Sequence, residues 1–187
     1  MGARRPDLHF LAAGLAAGLA LVGCGGGHEA ATPRARGAAT IVLRSADFTD
    51  GARLPRAVSC QGAGRPPALS WRGVPRRARE LVLAVEDPDA PGGTFVHWTV
   101  FGLPPRTPGL PAGGHLPAGA AAGANSAGGT GWTPPCPPPG DKPHHYVFTL
   151  YALPRPSGLH AGASASAVRA ALANPLARGR LTGTYSR

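Results

Sequence analysis

Lysine, cysteine and long apolar runs are all scarce in this chain of 187 residues, and each shortage excludes something. Of its 19 Lys and Arg residues only Lys142 is a lysine, so the formal net charge of +10 is carried almost wholly by arginine. Such a balance is open to an acidic partner, anionic lipid or nucleic acid. Yet the arginines are scattered, as at Arg34, Arg36, Arg76, Arg77, Arg79, Arg155 and Arg178, with no helical stripe and no interleaved aromatics. Beside 28 glycines and 22 prolines, the scatter reads as a compositional bias of the coding sequence, and nucleic-acid binding is not expected. No apolar run reaches the ~20 residues of a spanning helix. No unit recurs at the periods of about 20 to 50 residues that mark solenoids. The His-Glu-x-x-His, Cys-x-x-Cys and Gly-x-Ser-x-Gly spacings are absent as well, which argues against zinc chemistry and against a serine nucleophile elbow.

One apolar stretch is present, from Phe10 to Val22; it follows Arg4 and Arg5 and ends in Leu21-Val22-Gly23-Cys24. That arrangement is a secretion signal with a lipobox. Residues 1–23 are expected to be removed and Cys24 to be lipidated; the alternative is ordinary cleavage nearby that leaves Cys24 a free thiol. Two acyl chains hold a protein on a membrane where one is marginal, so the expected location is the cell envelope, anchored on the periplasmic or cell-surface side. Residues 24–39 are mainly Gly, Ala, Thr, Pro and Arg without apolar periodicity and read as a flexible tether. Residues 40–187 then form one domain, and the 43% apolar content of the chain suffices for a single core. With Cys24 assigned to the lipid, Cys60 and Cys136 remain as an even pair. An oxidising compartment permits a disulfide between them, the alternative being two separate buried thiols.

Short strand-like runs follow: Ile41 to Arg44, Ala68 to Trp71, Leu81 to Glu86, Thr94 to Phe101, and Tyr146 to Leu153. Strict alternation in the fourth would put Val96, Trp98 and Val100 on one face and Phe95, His97, Thr99 and Phe101 on the other. Both faces are apolar enough to be covered, as in a central strand. His144 and Tyr146, two residues apart, would share a side. The segment from Pro104 to Gly131, rich in Gly, Ala and Pro, reads as a surface excursion. A single helix is expected from about Ser166 to Ala173, capped by its serine, apolar at Val168, Ala171 and Leu172, and stopped at Asn174-Pro175. Many strands and little helix make the fold mainly β, an antiparallel β-sandwich with a few short helices.

Two segments place proline-stiffened turns just before strands: Asp87-Pro88-Asp89-Ala90-Pro91 ahead of Phe95-Val96-His97-Trp98, and Pro134-Pro135-Cys136-Pro137-Pro138-Pro139-Gly140 ahead of His144-His145-Tyr146. Such turns keep their shape without a hydrogen-bond ladder, and each delivers acid or imidazole groups to what reads as one small polar pocket. With Ser59-Cys60-Gln61-Gly62, Pro67-Ala68-Leu69-Ser70-Trp71, Phe148-Thr149-Leu150-Tyr151-Ala152-Leu153 and the ending Leu181-Thr182-Gly183-Thr184-Tyr185-Ser186-Arg187, these segments make the chain resemble a bacterial member of the phosphatidylethanolamine-binding, or Raf-kinase-inhibitor-like, family from about Thr40 to Arg187. The resemblance implies the same sandwich and a pocket for phosphate or a phospholipid head group. It points to Asp87, His97, His144 and Tyr146 as ligand-binding residues, with Asp89, Pro91 and Pro135 shaping the walls. The chain departs from the family pattern at Pro134, where a glycine is common and its amide is lost, and at His145, where an arginine is common.

The chemistry is coherent residue by residue. Protonated imidazoles and a phenol are donors, and a buried carboxylate beside a histidine orients the ring and favours its charged form. Alternatively, His97 is a core histidine bonded to a carbonyl, and Asp87 a turn former. Three classes of function stand open: a non-catalytic binding module for a small anion or phospholipid head group, possible regulator of a kinase- or protease-like protein partner; an enzyme using Asp87, His97 and His144 on a phosphoester or around zinc; and a structural envelope lipoprotein with a vestigial pocket. The first is the expectation, with no cofactor and no metal.

Overall fold

The computed structural model describes residues 39–187. The expected signal peptide, Cys24 and all of the expected tether except Ala39 lie outside the described residues. Ala39 itself belongs to a strand rather than to the tether, because its backbone pairs with Ala177.

Among the described residues nine strands and one α-helix follow one another in the order β1 (Ala39–Thr40), β2 (Val42–Ser45), β3 (Leu69–Arg72), β4 (Glu80–Asp87), β5 (Phe95–Leu103), β6 (Gly109–Leu110), β7 (Ala121–Ala122), β8 (His144–Leu153), α1 (Ala165–Ala171) and β9 (Ala177–Tyr185), with a short 3-10 turn at Arg56–Val58 between β2 and β3. They form a six-stranded sheet, β1-β9-β8-β4-β5-β7, and a three-stranded sheet, β2-β3-β6. All pairings are antiparallel except that of β1 with β9. The fold is therefore the expected mainly β sandwich. Leu43, Leu69, Trp71 and Leu110 of the small sheet meet Leu83, Val85, Trp98, Val100, Phe148, Leu150 and Leu181 of the large one in a single core.

On its outer face the large sheet carries a second apolar cluster, Val82, Phe101 and Leu153, covered by Leu159, Ala163 and Leu172. That cover explains why β4 is buried along nearly its whole length: a strand with partners on both sides and packing on both faces has no polar row to present. The cap of α1 is Ser164, whose side chain accepts from the amide of Ala167, so the helix begins slightly earlier than the sequence suggests. The excursion from 104 to 131 is more than a surface loop, since it lays β6 on the edge of one sheet and β7 on the edge of the other.

The pairing of β4 with β5 is interrupted twice. Glu86 faces Val96 and Val85 faces Trp98, which leaves His97 as an extra residue in β5, and a second shift lies between Leu81 and Leu83. Near the second shift, Gly102 holds a φ of 72°, a conformation that favours glycine. The first bulge corrects the alternation expected for this strand. His97 and Trp98 both turn toward the sandwich interior, where each ring approaches Trp132, while Val96 and Thr99 line a recess on the outer face beside Val168.

Candidate functional site

At one end of the sandwich β4 finishes with Asp87 while β5 and β8 begin with Phe95 and His144. Asp87, Phe95, His97, His144 and Tyr146 line one cavity there, of about 180 Å³, with Ala90 and Pro91 from one loop and Thr133, Pro134, Cys136, Pro137 and Pro138 from another. Asp87, His97, His144, Tyr146 and Pro91 are thus brought together as expected. Asp89 and Pro135 are not among the lining residues. The carboxylate of Asp89 is spent outside the cavity, accepting from the backbone amide of His145 at 2.7 Å and lying 2.8 Å from its ring Nδ1. This pairing, the main-chain amide first, holds the Asp89 carboxyl below the usual carboxylate range. Pro135 is buried behind the wall, where its carbonyl accepts from the amide of Cys60. Both therefore shape the pocket from behind, and His145, which faces away, clamps the Asp87–Pro91 turn to the start of β8.

The walls also differ from the expected polar pocket. The floor carries the polar groups, but four prolines and Phe95 make the sides apolar. Of the amides from Thr133 to Pro138 the prolines remove four. That of Thr133 is taken by the carbonyl of His97, so Cys136 holds the remaining N–H. Cys136 is bridged to Cys60, with Cα atoms 5.4 Å apart, and the bridge ties the proline loop to residues 59–64. The same two loops are joined by the Trp132 indole donating to the Gly64 carbonyl. Phe95, Thr133, Pro137 and Pro138 were not singled out from the sequence, and neither was Arg187, whose guanidinium donates to the Pro137 carbonyl and fixes the wall. A run of prolines signals rigidity but not which of its members faces inward.

The polar floor is asymmetric. Asp87 fills both roles open to it: Oδ1 accepts from the Asp89 amide, closing the turn, and Oδ2 lies 2.8 Å from His144 Nδ1. Burial disfavours a charged His144, but the hydrogen bond and charge of Asp87, with smaller help from Asp141 and Asp89, override it and raise the His144 pKa. Nε2 of His144 lies 3.6 Å from the carboxylate of Asp141, which is itself half exposed. His97 behaves otherwise. It is buried, its Nδ1 lies 2.7 Å from the Thr133 carbonyl, and burial lowers its pKa despite that contact and the charge of Asp87. A ring next to a carbonyl oxygen carries its proton on that nitrogen, so neutral His97 keeps Nε2 as an acceptor. Its ring also stands edge-on to Tyr146 at 5.1 Å. The Tyr146 hydroxyl is fully buried without a protein partner, and burial, aided by the charges of Asp87 and Asp89, pushes its pKa above the ordinary phenol range. It stays a donor at any physiological pH.

Among the described residues no group of three or more His, Cys, Asp and Glu side chains is placed to hold a metal ion. Neither serine nor free cysteine is among the lining residues.

A sequence model of phosphatidylethanolamine-binding protein matches residues 44–186. The chain belongs to the phosphatidylethanolamine-binding protein family. Within the family it is similar to a Mycobacterium tuberculosis protein named as a lipoprotein, LppC, with 42% identity over 190 residues, covering 92% of this chain and 93% of that one. Two crystal structures share the fold. One is a phosphatidylethanolamine-binding protein homologue of Chlamydia trachomatis, 38% identical with a TM-score of 0.74, covering 79% of this chain and 98% of its own. The other is YbcL of Escherichia coli, described as a member of the mammalian family, 34% identical with a TM-score of 0.75, covering 80% and 99%.

Proposed function

We propose that this chain is a non-catalytic binding module for a phosphate-bearing head group, held at the cell envelope through a lipidated Cys24. The observation that carries the reading is the buried Tyr146 hydroxyl, which has no protein partner and shares a cavity with the His144–Asp87 pair. A buried hydroxyl without an acceptor is costly, and a guest oxygen would relieve it. His144, favoured in its charged form, supplies the cation, and His97 Nε2 accepts from a protonated phosphate oxygen or a ligand hydroxyl. The volume lies below the ~300 Å³ at which drug-sized pockets begin, which suits a head group rather than an acyl chain. The proline and Phe95 walls suit the carbons of a phosphate ester better than bare phosphate. Binding is favoured over catalysis because the lining holds no serine and no free thiol, its one sulfur being held in a disulfide, and because Asp87 and His144 are engaged with each other. The similarity to a protein named as a lipoprotein supports the role of Cys24.

Thermal unfolding with inorganic phosphate and with phosphoethanolamine tests this. Both are expected to raise the Tm, phosphoethanolamine more, and His144→Ala to abolish the gain. Absence of any shift between pH 5 and 8 would exclude the reading.

A further inference from the structure

The register of the large sheet places the arginines in a way that their scatter in the sequence conceals. Ala39 pairs with Ala177, Ala177 with Ala152, Ala152 with Leu81, and Leu81 with Leu103. This row crosses the sheet at the end opposite the pocket, because Asp87, Phe95 and His144 lie at the other ends of the same strands. From Leu81 to Asp87 the rise along β4 is about 20 Å.

Beside that row, Arg76, Arg77 and Arg79 precede β4, Arg106 follows β5 and Arg155 follows β8, with the Arg79 amide bonded to the Leu153 carbonyl. All five are exposed, and none is in an ion pair among the described residues. Three of them, Arg76, Arg79 and Arg106, line one shallow recess with Val74, Pro75 and Pro104. The carboxylate belonging to this end, Glu80, is buried and engaged by the amides of Gly102 and Ser157 and by the Ser157 hydroxyl. Asp87, Asp89 and Asp141 sit at the pocket end. The end opposite the pocket thus carries arginines free of ion pairs among the described residues, whereas the pocket end mixes carboxylates with cations, Arg187 on the Pro137 carbonyl and Arg53 on the Ser186 carbonyl among them.

The chain also enters the sheet at the arginine end, through Ala39. The stretch from Cys24 to Ala39 spans at most about 50 Å when fully extended, so an anchor on Cys24 holds the whole domain within reach of the membrane and leaves the choice of end to its charge. Exposed guanidiniums close to an anionic leaflet gain from its surface potential, and their stems tolerate the interfacial region. We propose that the arginine-rich end docks on an anionic lipid surface, so that the anchored protein stands with its pocket facing away from the membrane. The anchoring rests on the reading of Cys24 given above; the docking and the orientation rest on the arginines.

The test uses the mature protein purified from membranes and reconstituted into vesicles of phosphatidylcholine, with or without phosphatidylglycerol, followed by amide hydrogen exchange. Exchange at residues 76–79 and 106–107 is expected to slow severalfold on the phosphatidylglycerol vesicles only, and to recover in high salt, which screens exposed charges. Residues 140–142 at the pocket end should exchange equally on both. Equal exchange at the arginine end on the two surfaces, or slowing at 140–142 instead, would overturn the proposal. The variant R76E/R79E/R106E should lose the protection while R44E/R56E/R180E keeps it; equal loss in both would mean that net charge, not this face, makes the contact. Were Cys24 not acylated, the protein would leave phosphatidylcholine vesicles altogether while the slowed exchange on phosphatidylglycerol persisted, so the two readings fail separately.

Discussion

Replacing Tyr146 by phenylalanine removes one oxygen and leaves the ring packed against His97 at 5.1 Å. In the ligand-free protein that oxygen is buried without a protein partner, a situation that costs about 1–3 kcal/mol where nothing compensates it. Tyr146→Phe should therefore leave ligand-free stability unchanged or raise it by up to that amount. For a domain of this size each kcal/mol moves the Tm by about 2–4 °C, so the expected change runs from none to several degrees upward. Binding should move the other way. A hydrogen bond to a charged oxygen is worth about 1.5–3 kcal/mol, so phosphoethanolamine should bind roughly 10- to 100-fold more weakly. Thermal unfolding without ligand, paired with calorimetric titration, reads both quantities on the same sample. A Tm lowered by more than about 4 °C together with unchanged affinity would show that the hydroxyl is a structural group, and the reasoning about the pocket would be refuted.

Asp141 competes with a guest for His144 Nε2 from 3.6 Å, and because it is half exposed the pair is worth no more than about 1 kcal/mol. Asp141→Asn should accordingly tighten phosphoethanolamine binding about two- to fivefold; unchanged or weaker binding would count against the assignment of that nitrogen to the ligand. The two pocket histidines should give stability opposite dependences on pH. His144 has a raised pKa, so its contribution is complete below its unfolded value of about 6.5 and disappears as the pH climbs through the folded value, whereas His97, with a lowered pKa, contributes fully above about 6.5 and loses its contribution as the pH falls through its folded value. Urea unfolding should show the alkaline limb flattened in His144→Gln and the acid limb flattened in His97→Asn, and limbs identical to the wild type in both variants would contradict these signs. Anion affinity should likewise decline as the pH rises past His144. Reduction of the Cys60–Cys136 bridge, which spans 76 residues, should cost about 4 kcal/mol by freeing the unfolded chain and lower the Tm by roughly 10 °C. Dithiothreitol during a melt checks this, and an unmoved Tm would mean that the bridge contributes little.

The central strands were legible because their side chains declare themselves: the apolar runs of β4, β5 and β8 and the punctuation around them need no knowledge of partners. β9 carries part of the family resemblance, at Leu181 to Arg187, without reading as a strand from its residues. Its inward positions include Gly179 and Gly183, and a Cβ at the first would run into the main chain of Ile41, at the second into Leu54 and Phe48. Tight packing selected residues with almost no hydrophobic signal, so the alternation is real but nearly silent. β6 and β7, two residues each, exist only because β3 and β5 offer edges for them. At the candidate site, Asp87, His97, His144, Tyr146 and Pro91 were nameable in advance, yet the division of labour between the histidines was not. It follows from a carboxylate beside one ring and a carbonyl beside the other.

Residue order alone determined what neighbours along the chain can enforce: prolines that stiffen two turns, runs that become strands, a serine-capped helix and the delivery of acid and imidazole groups to strand ends. Tertiary structure decided what depends on residues far apart. The register between β4 and β5 left His97 unpaired and turned it inward. The burial and partners of each titratable group set its charge, and the register of the strands gathered five scattered arginines at the end away from the pocket. Torsional preference acts within a few residues, whereas solvation and charge answer to whatever the folded chain brings alongside.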